Sequence, residues 1–435
     1  MKLIQATHLT DFRQIISYLQ VLSLWILVAL LPFRMGVIPR WAMIVAGVLY
    51  FIDYGVNKRW SSWRWTKDKW LYVIMIVYYL CIFIWHIGTQ QTNPHFHFVV
   101  EERLAFPLCG AIGLLGLSDK VKLKHICYVF IITSLLTSCY IILHTGLSFF
   151  ALPFREQTIH FSAKRIELVN SHMMYNLYLN ISLICAFYLF NNKNRYIKRG
   201  ERIFVLLTSL WIFYILSLSE GRVGFLTSMF LAGAFVLVLL FRINWKAGVP
   251  TLILYILLCG LLVSHHTRLT SNHIEHEPRW RIWEKTWNII EEKPVFGYGV
   301  SGARQALIDE IMNDETMVPR HLAMLDKINH GRIYSTQPHN AFLEAWSEFG
   351  IIGLVLLLLI FLFPLYTTKR SVYIYVFLIV CCFSVQCMFD SFFSPLLYCL
   401  SIVFFTSSQN AKSVESVVGK PDAIECTSVS PVTCP

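Results

Sequence analysis

Long apolar runs separated by short polar segments dominate the chain. Twelve such runs are recognisable, near residues 15–33, 37–54, 70–90, 100–117, 125–146, 172–190, 203–219, 222–241, 248–265, 341–364, 372–389 and 391–407. A helix needs roughly 20 mostly apolar residues to cross a bilayer, because only intrahelical hydrogen bonds can satisfy its backbone there. The pattern therefore predicts an all-α polytopic membrane protein with about 12 transmembrane helices.

Three places interrupt this pattern. The fourth run is the weakest of the twelve, since Glu101, Glu102 and Arg103 stand at its entrance. Arg222 and Asp390 mark tight breaks between neighbouring runs. Each of these two breaks is also compatible with a kink inside a re-entrant pair of helices.

Composition supports lipid as the surrounding solvent. Of the 435 residues, 56% are hydrophobic and 14% charged, and the mean hydropathy is +0.56. The net charge of +11 does not indicate nucleic acid, because Lys and Arg lie in short loops between apolar runs. The Cys residues are scattered without metal-ligand spacing. We therefore predict no nucleic-acid partner, no metal and no cofactor.

Basic residues predict how the chain is oriented. They follow the even-numbered runs: Lys58, Arg59, Arg64, Lys67 and Lys69; Lys120, Lys122 and Lys124; Lys193, Arg195, Lys198, Arg199 and Arg202; Arg242 and Lys246; Lys369 and Arg370. Short cytoplasmic loops retain Lys and Arg. Both termini are therefore predicted to be cytoplasmic. The loops that follow odd-numbered runs are predicted to face outward.

The largest connection, 267–338, follows the ninth run and is predicted to form a lid on the outer face. Within it, the stretch from Arg279 to Glu292 predicts a helix with Trp at helical spacing, which is typical of an amphipathic helix on a membrane surface. These are Trp280, Trp283 and Trp287. The transmembrane domain is predicted to span 1–407. The Ser- and Thr-containing tail 408–435 is predicted to be disordered and cytoplasmic.

The most specific chemical pattern is Pro338-His339-Asn340 followed, after nine residues, by Gly350 and Gly353. His339 is predicted at the water-accessible start of the tenth span, where a neutral imidazole can accept a proton near physiological pH. The two glycines would let another helix approach closely. Taken alone, these residues fit a capping His and a small-residue packing face equally well.

This pattern resembles the signature of the O-antigen ligase family, whose members join O-antigen carried on undecaprenyl diphosphate to lipid A–core, and of the related O-antigen polymerases. The resemblance extends to the twelve runs and to the large outer loop before the motif. It implies a GT-C-like glycosyltransferase of the Gram-negative inner membrane with a periplasmic active site. It also implies an inverting reaction without a metal, in which His339 is the general base for an acceptor hydroxyl.

Four arginines resemble, to different degrees, family positions that hold the lipid diphosphate. Arg222, between the seventh and eighth runs, would bind diphosphate oxygens and stabilise the leaving group; an ion pair with Glu220 is the alternative. Arg279 resembles the arginine that begins the family's outer helix. Arg281 is the other candidate for this position, and its alternative is a cation whose side chain reaches the membrane interface. Arg165 resembles a further diphosphate position, with a lipid-headgroup contact as its alternative.

Asp390 resembles an acidic residue that the ligases carry between the last two spans. It would orient an arginine or help to position the acceptor. Helix capping is the alternative, because Asp at this place before a helix is a common cap.

Other functions remain open at this point. A polymerase would share the donor but use a second lipid-linked glycan as acceptor, and a protein-glycosylating ligase would use a protein. A flippase or transporter is the alternative from a different class. Charged residues inside the runs are few, however, whereas transporters usually place coupling groups near the membrane midplane.

Overall fold

The computed structural model describes residues 2–33, 38–89, 96–146, 159, 169, 171–191, 198–219, 221–243, 249–257, 260, 279–314, 337–389 and 395–407. These residues form helices without a strand, apart from two isolated bridges. The helices are α1 (Lys2–Leu30), α2 (Ile38–Val56), α3 (Lys69–Thr89), α4 (Phe96–Glu102), α5 (Ala105–Leu115), α6 (Leu123–Thr145), α7 (His172–Asn191), α8 (Arg199–Leu218), α9 (Arg222–Ile243), α10 (Arg279–Glu292), α11 (Gly299–Met312), α12 (Ala341–Thr367), α13 (Tyr373–Phe389) and α14 (Pro395–Ser407). Residues 249–257 are also helical.

Six helices are long and apolar enough to cross a membrane: Phe12–Leu30, Lys69–Ile87, Leu123–Thr145, His172–Asn191, Arg199–Leu218 and Ala341–Thr367. Shorter apolar helices cover Val223–Val238, Tyr373–Phe389 and Pro395–Ser407. Every run predicted from the sequence coincides with helix over part of its length. The all-helical, multi-pass architecture is thus confirmed, whereas the number of twelve spans stays a prediction.

Two of the predicted spans are interrupted. In the fourth, the chain turns at Arg103 and Leu104, between α4 and α5. The predicted single helix is interrupted there, and the Arg103 guanidinium pairs with carboxylates of α12. In the tenth, α12 is kinked at Gly350, whose φ of 65° and ψ of −161° are not helical.

Aromatic side chains fill the core between the helices. Tyr178, Phe349, Phe383 and Tyr398 are fully buried and belong to one continuous cluster of apolar residues. Because these large rings come from α7, α12, α13 and α14, they fix the relative positions of the helices that carry the candidate site residues.

Contacts between aromatic rings show which ends of α7, α9 and α13 lie on the same side of the bundle. The ring of Phe187 lies 4.5 Å from that of Phe235 and 5.4 Å from that of Tyr375, measured between centroids. Arg222 precedes Phe235 by a helical length of about 20 Å, and Phe389 follows Tyr375 by a similar length. The start of α9 and the end of α13 therefore lie at the same end of the bundle. We call it the site end.

The described part of the large loop is a helical hairpin made by α10 and α11. Ile282, Ile289, Leu307 and Ile311 form its small apolar core. Lys285 Nζ bridges from α10 to Glu310 and Asp314 at 3.5 and 3.3 Å. The helix predicted from Arg279 to Glu292 is confirmed with the same bounds. The hairpin packs on α3 and α12.

Candidate active site

His339 lies in a sharp turn directly before α12. Its φ of 49° is in the left-handed region, which costs a non-glycine residue about 1–2 kcal/mol. Asn340 then returns to extended backbone and caps the helix, since its Oδ1 accepts hydrogen bonds from the N–H groups of Phe342 and Leu343 at 3.0 and 3.1 Å. The imidazole of His339 is therefore half-buried on a tight turn, and the cap made by Asn340 stabilises this turn.

Helix α10 connects this turn to the end of α13. Trp283 Nε1 donates to the Pro338 carbonyl at 2.9 Å, and the Trp283 ring lies 6.3 Å from the ring of Phe389. One turn earlier on α10, the Arg279 guanidinium donates to the Phe389 carbonyl at 2.8 Å. The hairpin thereby brings Arg279 to the same junction as the residue that precedes His339.

Trp283 is a site residue that the sequence pattern did not single out. We expected it on a membrane surface together with Trp280 and Trp287. The sequence could have indicated this role, because Trp283 lies four residues after Arg279 and side chains at this spacing share a helix face. Arg281 lies on an exposed part of α10.

Arg222 is the first residue of α9 and therefore lies at the site end. The neighbouring glycines explain how α9 begins there. A Cβ at Gly221 or Gly224 would overlap the side-chain amide of Asn176 on α7, and Asn180 Nδ2 donates to the Gly224 carbonyl at 3.0 Å. Close packing on α7 thus fixes the backbone position of Arg222.

Arg165 and Asp390 lie outside the described residues. Described residues that precede them, Ile159 and Phe389, lie near the site end. Ile159 N–H donates to the Leu218 carbonyl at 2.8 Å, just before the turn that leads to Arg222. Phe389, the residue before Asp390, is the one that accepts from Arg279. Within the described ranges, no three His, Cys, Asp or Glu residues are grouped as metal ligands would be.

Gly350 lets the turn after α10 dock against the kink of α12. A Cβ at Gly350 would overlap the Val295 carbonyl, and one at Gly297 would meet the Glu348 carbonyl. Across this contact, Ile351 N–H donates to the Pro294 carbonyl at 2.9 Å. The backbones of two segments far apart in sequence therefore hydrogen-bond directly.

This packing differs from our expectation, which was that the glycines admit another helix. The partner of Gly350 is a turn, while Gly353 makes room for its own chain, since a Cβ there would meet the Phe349 side chain and the Ala345 carbonyl. The kink at Gly350 divides α12, and Gly353 is packed by Phe349 and Ala345 from the part before the kink. Gly350 thus allows the contact with the α10–α11 hairpin and the kink, and Gly353 allows close packing within α12.

A buried ion cluster lies below the His339 turn and was missed by the sequence reasoning. Arg103 donates to Glu348 at 2.6 Å and lies 3.5 Å from Glu344, with each of these side chains at most 13% exposed. The sequence shows charged residues at the start of the fourth apolar run, but it does not show which residues they pair with. Removing one member of such a buried pair costs about 3–5 kcal/mol, since the remaining charge is left unpaired.

Glu102, the last residue of α4, adds a further carboxyl to this cluster. The Glu102 carboxyl lies within electrostatic range of both Glu344 and Arg103.

Asn340 offers a direct test of the turn geometry. We expect Asn340→Ala to lower the free energy of unfolding by about 1 kcal/mol and to reduce activity, because two N–H groups of α12 lose their acceptor. Thermal unfolding in detergent and the rate of product formation measure the two effects. Asn340→Asp is the control, since aspartate supplies the same cap; equal behaviour of the two variants would contradict the role of the cap.

The helices and the site together define the class of the protein. Several helices are long and apolar enough to cross a membrane, and His339, Arg279 and the buried ion cluster lie at one end of the bundle, as expected for a multi-pass membrane protein with a polar site near one surface. Residues 207–358, about a third of the chain, match a family profile described as O-antigen ligase. This region therefore belongs to the O-antigen ligase family, and the resemblance predicted from the His339 motif is confirmed.

The matched region contains most of the predicted site. It includes Arg222, Arg279, Arg281, His339, Asn340, Gly350 and Gly353, and it leaves out Arg165 and Asp390. A comparison with curated protein sequences gives no match. The family comprises glycan ligases and polymerases, so the coarse activity is glycan transfer.

Proposed function

We propose that this protein is an O-antigen ligase, which transfers O-antigen polysaccharide from undecaprenyl diphosphate to lipid A–core during lipopolysaccharide biosynthesis. The observation that carries the proposal is the junction formed by α10, where Trp283 binds Pro338 and Arg279 binds the end of α13. It supports the proposal because Trp283 binds the residue before the candidate base His339, while the candidate diphosphate ligand Arg279 lies one turn earlier on the same helix. The family match supports the same class of chemistry.

The reaction needs one proton acceptor and a stabilised leaving group. A hydroxyl of the acceptor sugar attacks the anomeric carbon of the donor glycan, and His339 takes the hydroxyl proton. The bond between that carbon and the phosphate oxygen breaks, and its electron pair leaves with undecaprenyl diphosphate. Direct attack inverts the anomeric centre. The activated donor makes ATP unnecessary.

The arginines would stabilise the departing diphosphate. A guanidinium is always charged and can hold phosphate oxygens with two parallel hydrogen bonds. In the proposal Arg222 and Arg279 are the principal ligands, and Arg165 and Arg281 assist them. Asp390 orients an arginine or positions the acceptor, which agrees with the contact of Arg279 to the preceding residue, Phe389.

The proposed location is the inner membrane of a Gram-negative bacterium, with both termini in the cytoplasm and the active site on the periplasmic face. The site end supports this orientation, since α3 begins in the basic segment at Lys69 and ends at Thr89 on the opposite side, near the hairpin. Charged loops that remain in the cytoplasm would leave the 267–338 lid outside.

Reconstitution with defined substrates tests this function. Purified protein, lipid-linked O-antigen and lipid A–core are incubated without ATP, and the products are resolved by gel electrophoresis. We expect lipid A–core that carries O-antigen. Longer lipid-linked glycan without transfer to core would show a polymerase instead. No covalent product, together with movement of lipid-linked glycan across vesicles, would show a flippase.

A further inference from the structure

Two small cavities flank Gln337, two residues before His339. The first lies between α3, α4, α12 and α14 and is lined by Tyr78, Glu102, Arg103, Gln337, Glu344 and Pro395, among others. The second lies between α11 and α12 and shares Gln337 and Glu344 with the first. Each has room for a group of about the size of a water molecule or a hydroxyl.

The lining of the cavities favours uncharged hydroxyl groups over phosphate. Three carboxylates and two arginines line them: Glu102, Glu344, Glu348, Arg103 and Arg304. Arg103 already pairs with two of these carboxylates. A phosphate group would thus meet an excess of negative charge. A hydroxyl, in contrast, donates a hydrogen bond to a carboxylate and can accept one from the Gln337 amide.

Glu102 is a carboxyl that can bind a ligand in the first cavity. Its carboxyl lines the first cavity and has no hydrogen-bond or ion-pair partner in the part of the chain that the structure describes. The Glu102 side chain is half-buried, and a hydroxyl bound in the cavity would donate a hydrogen bond to its carboxylate. The neighbouring Glu101 is different, because it pairs with Arg40 at the surface and its side chain is 53% exposed.

The cavities also differ in position from the proposed diphosphate site. Arg279 contacts the end of α13, whereas the cavities open beside the first turns of α12, between helices α3, α4, α11 and α14. Both positions adjoin the 337–340 segment. A donor and an acceptor could therefore approach His339 from different sides.

We propose that these cavities bind hydroxyl groups of the acceptor sugar, with the carboxyls of Glu102 and Glu344 and the amide of Gln337 as hydrogen-bonding partners. The sugar ring stays outside, and its inserted hydroxyls orient the neighbouring, reacting hydroxyl towards His339. This inference rests on the proposed transfer to a sugar acceptor. It assigns Glu102 as a binding residue for that acceptor.

Steady-state kinetics with each substrate varied in turn tests the assignment. We expect Glu102→Leu to raise the KM for lipid A–core about tenfold, since a hydrogen bond to a charged group is lost. The KM for lipid-linked O-antigen should change less than twofold. Glu101→Leu is the matched control and should leave both values unchanged. Glu102→Gln keeps an accepting oxygen and should restore most of the affinity; it also separates binding from any folding defect of the leucine variant, seen by gel filtration.

Acceptors that lack single hydroxyls on the terminal sugar sharpen the test. Removing the inserted hydroxyl should weaken binding to the wild type but not to Glu102→Leu, because the two changes delete the same interaction. A raised donor KM alone would assign the cavities to the donor, and unchanged values for both substrates would mean that they hold water only. Either result overturns the proposal.

Direct binding of lipid A–core without donor separates this inference from the proposed function. If wild-type protein forms no product but binds lipid A–core about tenfold more tightly than Glu102→Leu does, the ligase function fails and the hydroxyl site stands. If the wild type forms product and Glu102→Leu binds lipid A–core equally well, the function stands and the hydroxyl site is wrong.

Discussion

Replacement of His339 with asparagine is expected to lower the rate of glycan transfer at least about 100-fold, while the protein stays folded. A positioned general base contributes roughly 100- to 10,000-fold to such reactions, and an amide cannot accept the hydroxyl proton. Asparagine is the informative choice because it tolerates the left-handed backbone found at this position. The substitution therefore removes the base without disturbing the turn.

The measurement is the initial rate of transfer to lipid A–core at saturating concentrations of both substrates. Binding of the lipid-linked donor should be little changed, since the arginines remain. His144→Asn is a suitable control, because His144 is an exposed histidine at the end of α6. A variant that transfers glycan at the wild-type rate would exclude His339 as the base. A variant that no longer folds would indicate a structural role instead.

Gly350→Ala is expected to detach the α10–α11 hairpin from α12 and to abolish transfer. Two effects add here. The φ of 65° is unfavourable for alanine by about 1–3 kcal/mol, and the new methyl group would overlap the Val295 carbonyl. Because the neighbouring contact joins two backbones, no side-chain rotation can relieve it. We expect a loss of more than about 3 kcal/mol in the stability of the docked state.

Gly116→Ala separates the two effects. Gly116 also has a positive φ, of 93°, but nothing lies within 4 Å of the place where its Cβ would be. This control should show the cost of the backbone conformation alone. Limited proteolysis after Lys293 and thermal unfolding in detergent measure detachment and stability. Equal behaviour of the two variants would mean that the turn at Val295 can move away without loss.

Local patterns gave several parts of the structure correctly. Apolar runs predicted helical segments, because burying a helix in lipid requires an uninterrupted apolar surface. The helix from Arg279 to Glu292 followed from its periodic tryptophans, and the start of α12 at Ala341 followed from the apolar run that begins there. Each of these features depends on residues that are at most a few turns apart.

Contacts between distant segments were not predictable in the same way. Arg103 and Glu348 are 245 residues apart, and Arg279 and Phe389 are 110 residues apart. The charges before the fourth run looked like a weak span entrance, since the sequence does not show which carboxylates face them. The two glycines of the motif predicted close packing, but only the fold assigned the partner of Gly350 to a turn and that of Gly353 to its own helix.

The sequence by itself determined a helical, multi-pass architecture and the residue types available for chemistry. It also pointed to the O-antigen ligase family, because the spacing from His339 to Gly353 is a local property of one segment. Only the tertiary structure decided that Trp283 holds the residue before His339, and that Arg103, Glu102 and Glu344 lie around the cavities beside it. The physical reason is that such contacts depend on how helices pack, and packing is settled by shape and charge across the whole bundle.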